Sequence, residues 1–257
     1  MTGPLEPGER VLLIDAKQRQ YLLVLKPGGE FHSHAGPVKH DDLLGQDEGR
    51  VVASARGMKF SVYRPTLSDF VYKMPRGAQV IYPKDLATIL MVADIAPGLR
   101  VFESGLGSGA LSMAMLRAGA IITGYELRAD FLARARENVE SFLGEEALAR
   151  YHTQERSSYD GIDGAGFDRM VLDLPEPWQV VPHAPGALRS GGILLAYTPS
   201  VTQVMRVTDA LIDQGFDQIQ TLEVLHRTWH VEGQAVRPDH RMVAHTGFLT
   251  HGRLRTS

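Results

Sequence analysis

From residue 99 onward the hydrophobic pattern switches repeatedly between two periods. Short unbroken apolar runs at 99–103, 121–126, 169–173 and 193–197 read as buried strands. Between them, apolar residues recur every three to four positions, predicting helices over about 109–118, 130–142, 178–188 and 201–214. The second of these puts Phe131, Ala135, Val139 and Phe142 on one face, and Gly215 ends the last. A further strand near 150–154 is weakly patterned. Two final strands, about 217–230 and 242–250, have no convincing helix between them, so they are expected to pair as an antiparallel edge. Strands alternating with helices predict a doubly wound α/β domain whose ligands sit at the strand carboxyl ends.

Residues 1–65 carry a different pattern. Apolar runs at Arg10–Asp15, Gln20–Leu25, Arg50–Ser54 and Lys59–Tyr63 are short and β-type, separated by turn chemistry such as Lys26-Pro-Gly-Gly. They predict a small β-barrel-like domain. Thr66-Leu-Ser-Asp69 opens a short helix with a capping-box pattern. Pro83 is placed to begin another, running to about Ala93. The expected organisation is therefore a β domain over 1–65, a helical connection over 66–98 and the α/β domain over 99–257.

Composition narrows the function classes. The chain has 257 residues, 44% hydrophobic and 22% charged, which is ordinary globular usage. Without a cysteine it has no disulfide and no thiolate metal site. No apolar run reaches the length of a membrane span and the N-terminus has no signal-peptide core, so a soluble cytoplasmic protein is expected. A net charge of −3 argues against indiscriminate coating of nucleic acid, but not against a structured RNA met by a local basic patch. The 21 arginines against 6 lysines suit phosphate forks, although genomic base composition explains the excess more simply.

The chemistry concentrates at two strand ends. Val101-Phe-Glu-Ser-Gly-Leu-Gly-Ser-Gly-Ala-Leu111 is a strand, a turn with three glycines and a helix start. Such a turn lets backbone N–H groups approach a nucleotide. Glu126 ends the next strand, where an acid hydrogen-bonds a ribose diol in both dinucleotide and methyl-donor sites. Gly105-x-Gly107-x-x-Ala110 fits either. Glu103 tilts the balance: a carboxylate beneath the loop is awkward beside a pyrophosphate but useful near a cationic sulfonium. Three strands later, Val171-Leu-Asp-Leu-Pro-Glu-Pro-Trp178 places an acid at a strand end, followed by a turn stiffened by two prolines and an indole. That arrangement suits holding a planar base.

The ordered set resembles the bacterial and archaeal tRNA adenine-N1 methyltransferases that modify the T-loop adenosine at position 58. The matching pieces are Gly29-Glu-Phe-His-Ser-His-Ala-Gly36, Arg64-Pro-Thr66, Gln79-Val-Ile-Tyr-Pro-Lys-Asp85, Glu103 to Gly109, Tyr125-Glu126, Leu172 to Trp178, Thr202-Gln203 and His245-Thr-Gly-Phe-Leu249. The resemblance implies a class I methyltransferase Rossmann-like sheet behind a small all-β N-terminal domain. It implies S-adenosylmethionine as donor, tRNA as substrate and a homotetramer. Gly105, Gly107, Ser108, Gly109 and Leu111 match the donor loop, Gln79 a residue reaching the donor from the preceding segment, and Glu126 the ribose ligand. Glu103, Ala110, Phe131 and Ser157 complete the expected donor contacts. Asp173 matches the acid between donor and base, and Tyr82 a pocket tyrosine. The chain departs from the family's usual Glu-Ala-Gly at Ser104. Tyr151 to Ser158 lacks an acid at the usual adenine contact, leaving backbone contacts from Arg156 or Ser157.

Adenine N1 can attack the sulfonium methyl directly, so alignment is the main demand. Asp173, accepting the exocyclic amino hydrogens, favours the developing positive charge and can relay a proton. Arg64, Arg76, Arg237 and Arg241 are candidates for phosphate contacts. His32, His34 and His40 lack ligand spacing, so no metal is expected, and His240 and His245 read as structural. Trp229 reads as core or pocket wall in preference to a stacking platform. The competing readings are a methyltransferase for protein or small molecules, an NAD-dependent oxidoreductase, and a non-catalytic RNA-binding subunit.

Overall fold

The computed structural model describes residues 3–77 and 79–255, and the chain divides into two compact units, Met1–Lys73 and Met74–Ser257. In the first unit, β1 (Arg10–Asp15), β2 (Gln20–Val24), β5 (Val51–Ala53) and β6 (Lys59–Tyr63) form an antiparallel sheet in the order β2-β1-β6-β5. β3 (Glu30–Ser33) and β4 (Gly36–Lys39) form a separate hairpin that the sequence pattern does not reveal. Its four-residue strands are too short to show alternation. Its turn is closed by the Ser33 hydroxyl donating to the Gly36 carbonyl at 2.7 Å. Val11, Leu13, Leu25, Val38, Phe60 and Val62 make the core, and Tyr21, Phe31 and Phe60 pack tilted and edge-on within it. Helix α1 (Leu67–Lys73) closes this unit with the expected capping box. The Thr66 hydroxyl accepts from Asp69 N, and Asp69 Oδ2 accepts from Thr66 N.

The second unit begins with α2 (Pro83–Val92), so the segment 66–98 is shared between the units. A seven-stranded sheet follows. Five of its strands are β7 (Arg100–Ser104), β8 (Ile121–Glu126), β9 (Tyr151–Glu155), β10 (Phe167–Leu172) and β11 (Leu188–Thr198). The other two, β12 (Phe216–Glu223) and β15 (Phe248–Leu254), pair antiparallel at one edge, as the missing crossover helix requires. The order across the sheet is β12-β15-β11-β10-β7-β8-β9. Helices α3 (Ala110–Arg117), α4 (Ala129–Leu143) and α6 (Val201–Asp213) make the crossovers. Phe102 stands edge-on to Tyr125 and tilted to Phe167 within the buried centre. Chain order reverses between β7 and β10, which are direct neighbours; a crevice for ligands opens at such a switch point. No helix among the described residues is long and apolar enough to cross a membrane.

Three expectations fail in whole or in part. In place of a helix over 178–188 there are single turns at Pro177–Gln179 and Val181–His183 and a four-residue α5 (Ala184–Ala187). Pro177, Pro182 and Pro185 lack the N–H that a continuous helix needs at every position past its first turn. The run 217–230 also splits. β12 stops at Glu223, and β13 (Trp229–Glu232) pairs with β14 (Ala235–Pro238) across a tight turn at Gly233. The last strand lies at 248–254, later than expected, because the buried alternation only begins after Gly247.

Candidate active site

The glycine loop spans the end of β7 and the start of α3, and Gly105, Gly107 and Gly109 all have positive φ. Gly105 has the strictest requirement. A Cβ there would collide with the carbonyl oxygen of Asp173, because Asp173 N donates to Ser104 O at 2.9 Å and draws the two strand ends together. Gly109 lets α3 start against α4, where its Cβ would press on the Ala135 backbone. Asn138, buried on α4, donates from its amide to Ser108 O at 2.9 Å and Pro75 O at 3.0 Å, pinning the loop from behind.

Glu126 ends β8 facing this loop. Its carboxylate accepts from Gly107 N and Arg128 N, each at 3.1 Å. Beside it opens a cavity of about 230 Å³ whose lining includes Gly105, Glu126, Ser157, Tyr159, Leu174 and Pro175. Ser157 caps the turn Ser158–Asp160, and the Ser104 hydroxyl donates to the Ser158 hydroxyl at 2.8 Å. No acid supplies this wall, in keeping with the sequence; hydroxyls and the Tyr125 and Tyr159 rings do. The Arg156 guanidinium lies over Tyr125 and pairs with Asp163.

Three carboxylates converge at these strand ends, and their electrostatics follow. Glu103 is fully buried beneath the loop. Its Oε2 accepts from the Ser112 hydroxyl at 2.8 Å, which also meets Tyr151 Oη at 2.9 Å, while Oε1 has no partner. Burial, then the charges of Asp173 and Glu126, push its carboxyl up to about 8. Burial, then Glu126, push half-buried Asp173 up to about 7. A site that raises its own acids in this way is poised for a cation.

Behind Asp173 the proline turn is anchored at both ends. Gln203 of α6 donates to Pro175 O at 2.9 Å, and Glu176 N donates to Tyr159 Oη at 3.2 Å. Trp178 packs on the buried core with the Arg206 guanidinium over its ring. Tyr82 caps α2, and Tyr197, at the end of β11, lies within electrostatic reach of Tyr82, Asp85 and Asp173.

The structure thus brings Gly105, Gly107, Glu126, Ser157 and Asp173 together. Ser108, Gly109, Ala110 and Leu111 are buried in the loop and first helical turn. Gln79 is exposed on the segment before α2, and Phe131 packs under the Arg128 guanidinium and against Gly77. Two readings change, those of Arg64 and Trp229, while His40 and His245 have the structural partners expected of them. Arg64 is not free for phosphate: it is spent on Glu9, Glu48 and two backbone carbonyls within the first unit. Trp229 is neither core nor pocket wall, being 58% exposed on the β13–β14 hairpin. His40 is an internal acceptor for Lys26 N at 3.0 Å. His245 is held between Glu223 and Pro199 O, and these contacts raise its imidazole above the usual range. Asn138, Ser158, Tyr159 and Tyr197 escape the sequence reading. Only Asn138 leaves a signal there, an amide on the otherwise apolar face of α4.

Comparison with known proteins shows the family and the fold. The family profile described as tRNA methyltransferase complex GCD14 subunit matches residues 60–240, and that described as TrmI-like N-terminal matches residues 3–52. The tRNA (adenine(58)-N(1))-methyltransferase TrmI of a Thermus thermophilus strain is 39% identical over 242 residues, covering 93% of this chain and 94% of that protein. The crystal structure of tRNA (m1A58) methyltransferase TrmI from Aquifex aeolicus superposes with a TM-score of 0.87 at 27% identity, over 99% of this chain and 100% of that one. A Thermotoga maritima structure described as a SAM-dependent O-methyltransferase gives 0.94 at 29% identity, over 99% and 96%.

Proposed function

We propose, from the premise that this chain belongs to the tRNA adenine-N1 methyltransferase family, that it transfers a methyl group from S-adenosylmethionine to N1 of the T-loop adenosine, position 58, of tRNA. Membership in that family removes the oxidoreductase reading. One observation carries the site assignment: the Asp173 backbone occupies the space a side chain at residue 105 would need, so the donor loop and the base-facing acid are packed into one unit.

The residues fit the donor. The unpartnered buried Glu103 oxygen, Glu126 and Asp173 form an acidic cradle whose raised carboxyls ionise more readily beside a cation, and the cavity beside Glu126 has the hydroxyl and aromatic walls an adenine ring needs. When bound, S-adenosylmethionine supplies an electrophilic methyl group on a cationic sulfur. Glu126, already oriented by two backbone N–H groups, keeps lone pairs for the ribose hydroxyls. Gly105 and Gly107 would let the donor approach the backbone, and Gln79 and Phe131 would add further contacts to it. Asp173 accepts the target adenine's amino hydrogens, which stabilises the positive charge the base acquires. An acid raised to about 7 acts only when ionised, so the rate rises with pH through that region and levels off above it. Tyr82 walls the base, which must leave its stack to arrive there.

Arg76, Arg237 and Arg241 are exposed, which supports them as candidates to meet RNA phosphates. A homotetramer supplies further surface, with the exposed Trp229, Val231 and Val236 of the hairpin as self-association residues. Light scattering that returns a single-chain mass would exclude it. Incubation of unmodified tRNA with the protein and donor should create a reverse-transcription stop at T-loop adenosine 58. Label transfer to protein, or no stop there, would defeat the assignment.

A further inference from the structure

Lys84 and Asp85 open α2 directly after Tyr82, yet their side chains are only 7% and 0% exposed. Lys84 Nζ donates to Asp85 Oδ1 at 2.8 Å, to Val224 O at 2.7 Å and to Thr246 Oγ1 at 2.5 Å. The Thr246 hydroxyl then donates to Asp85 Oδ2 at 2.6 Å. All three ammonium hydrogens are used, and each carboxylate oxygen has a partner. A closed pair of this kind is not needed for stability, since apolar residues of similar volume serve as well. Its distinctive property is geometric: it ties the first turn of α2 to two loops about 140 and 160 residues away.

Both ends of that tie lead to the acceptor side of the site. In one direction, Asp85 N and Leu86 N donate to Tyr82 O at 2.9 Å, so the helix turn fixes the Tyr82 backbone. In the other, the Tyr197 hydroxyl donates to Thr246 O at 2.6 Å. Gly247 completes the contact, because a Cβ there would collide with the Tyr197 ring. Tyr197 in turn feels the charges of Asp85 and Asp173 and the neighbouring Tyr82. None of these groups lines the cavity beside Glu126.

We infer that Lys84, Asp85 and Thr246 are positioning residues that hold Tyr82 and Tyr197 as two walls of the target-base pocket, shaped for an unstacked purine beside Asp173. This rests on the reading that Asp173 meets the target base. The lock acts on acceptor geometry and leaves the donor half untouched, so its loss separates RNA turnover from donor affinity.

Thr246→Val and Tyr197→Phe test the lock while retaining the ion pair, and Lys84→Met with Asp85→Leu removes the pair without stranding a charge. In the substrate-free protein, Thr246→Val should speed amide hydrogen exchange over residues 82–86 as well as 244–248. The same variant should lower kcat/KM for tRNA about tenfold to a hundredfold, the scale of a misplaced substrate. S-adenosylhomocysteine affinity by calorimetry should stay within about twofold, the margin left when donor contacts are untouched. Exchange confined to 244–248 with unchanged kcat/KM would overturn the inference, as would a loss of donor affinity matching the loss of turnover. Wild-type protein that methylates no tRNA would instead sink the reading of Asp173, while the exchange experiment still decides whether the two segments are coupled.

Discussion

The two halves of the proposed site are built on opposite plans. The donor half is local: Glu103, the three glycines and Glu126 all fall within 24 residues, and backbone makes most of it. The acceptor half draws Tyr82, Asp173, Tyr197 and Thr246 from across more than 160 residues, and side chains make most of it. Backbone recognition tolerates little because it depends on φ and on missing Cβ atoms. Side-chain recognition depends on hydrogen bonds that reach across the sheet, and it fails gradually as those are removed.

The hardest break of that contrast is at the seam. Gly105→Ala forces a Cβ onto the Asp173 carbonyl at a residue with φ of 87°, and should lose at least about 3 kcal/mol of stability together with donor binding. Thermal unfolding and S-adenosylhomocysteine titration measure both; a folded variant with normal affinity would mean the seam is not shared. Next in size, Asp173→Asn should keep fold and donor affinity while turnover falls about a hundredfold to a thousandfold. Single-turnover methylation of tRNA at wild-type speed would remove Asp173 from the chemistry.

A third test sharpens the donor half. Glu103 has its carboxyl raised from 4.5 to about 8 in the folded chain, so the folded state binds more protons than the unfolded state between those values. Stability contributed by this group therefore falls as pH rises from about 4.5 to about 8, then stays level. Glu103→Gln should abolish that decline. Relative to wild type, the variant should gain on the order of 3 kcal/mol between about pH 5 and about pH 7, as the linkage relation requires for a shift of this kind. Denaturant midpoints of the ligand-free proteins at pH 5, 7 and 8.5 measure it (the pH values being about those that bracket the shift). Parallel curves for the two proteins would show that Glu103 is ionised throughout.

What is legible in the sequence follows the same division. The glycine loop and the Asp173 turn are legible because each is a contiguous run whose residue types have few other uses, and Glu126 because it ends the strand that follows the loop. The alternation of periods predicts the parallel sheet, and the missing last crossover predicts its antiparallel edge. The helix expected over 178–188 fails because apolar spacing alone takes no account of the three prolines. Arg64 is misassigned from sequence because a charge there carries no record of its partners; Glu9 and Glu48 claim it.

By itself, then, the sequence determined the α/β sheet and the local features of the proposed site: a glycine loop after one strand, an acid ending the next, and an acid before a proline turn. Local backbone rules specify such features within a few residues. Only the tertiary structure decided that Asp173 backs onto Gly105, that Glu103 is sealed with one oxygen unpaired, and that Lys84 reaches Val224 and Thr246. Those facts depend on strand order and on burial. The first arises when β10 comes to lie beside β7, the last when the loops after β12 and before β15 meet α2, and no local run of residues encodes them.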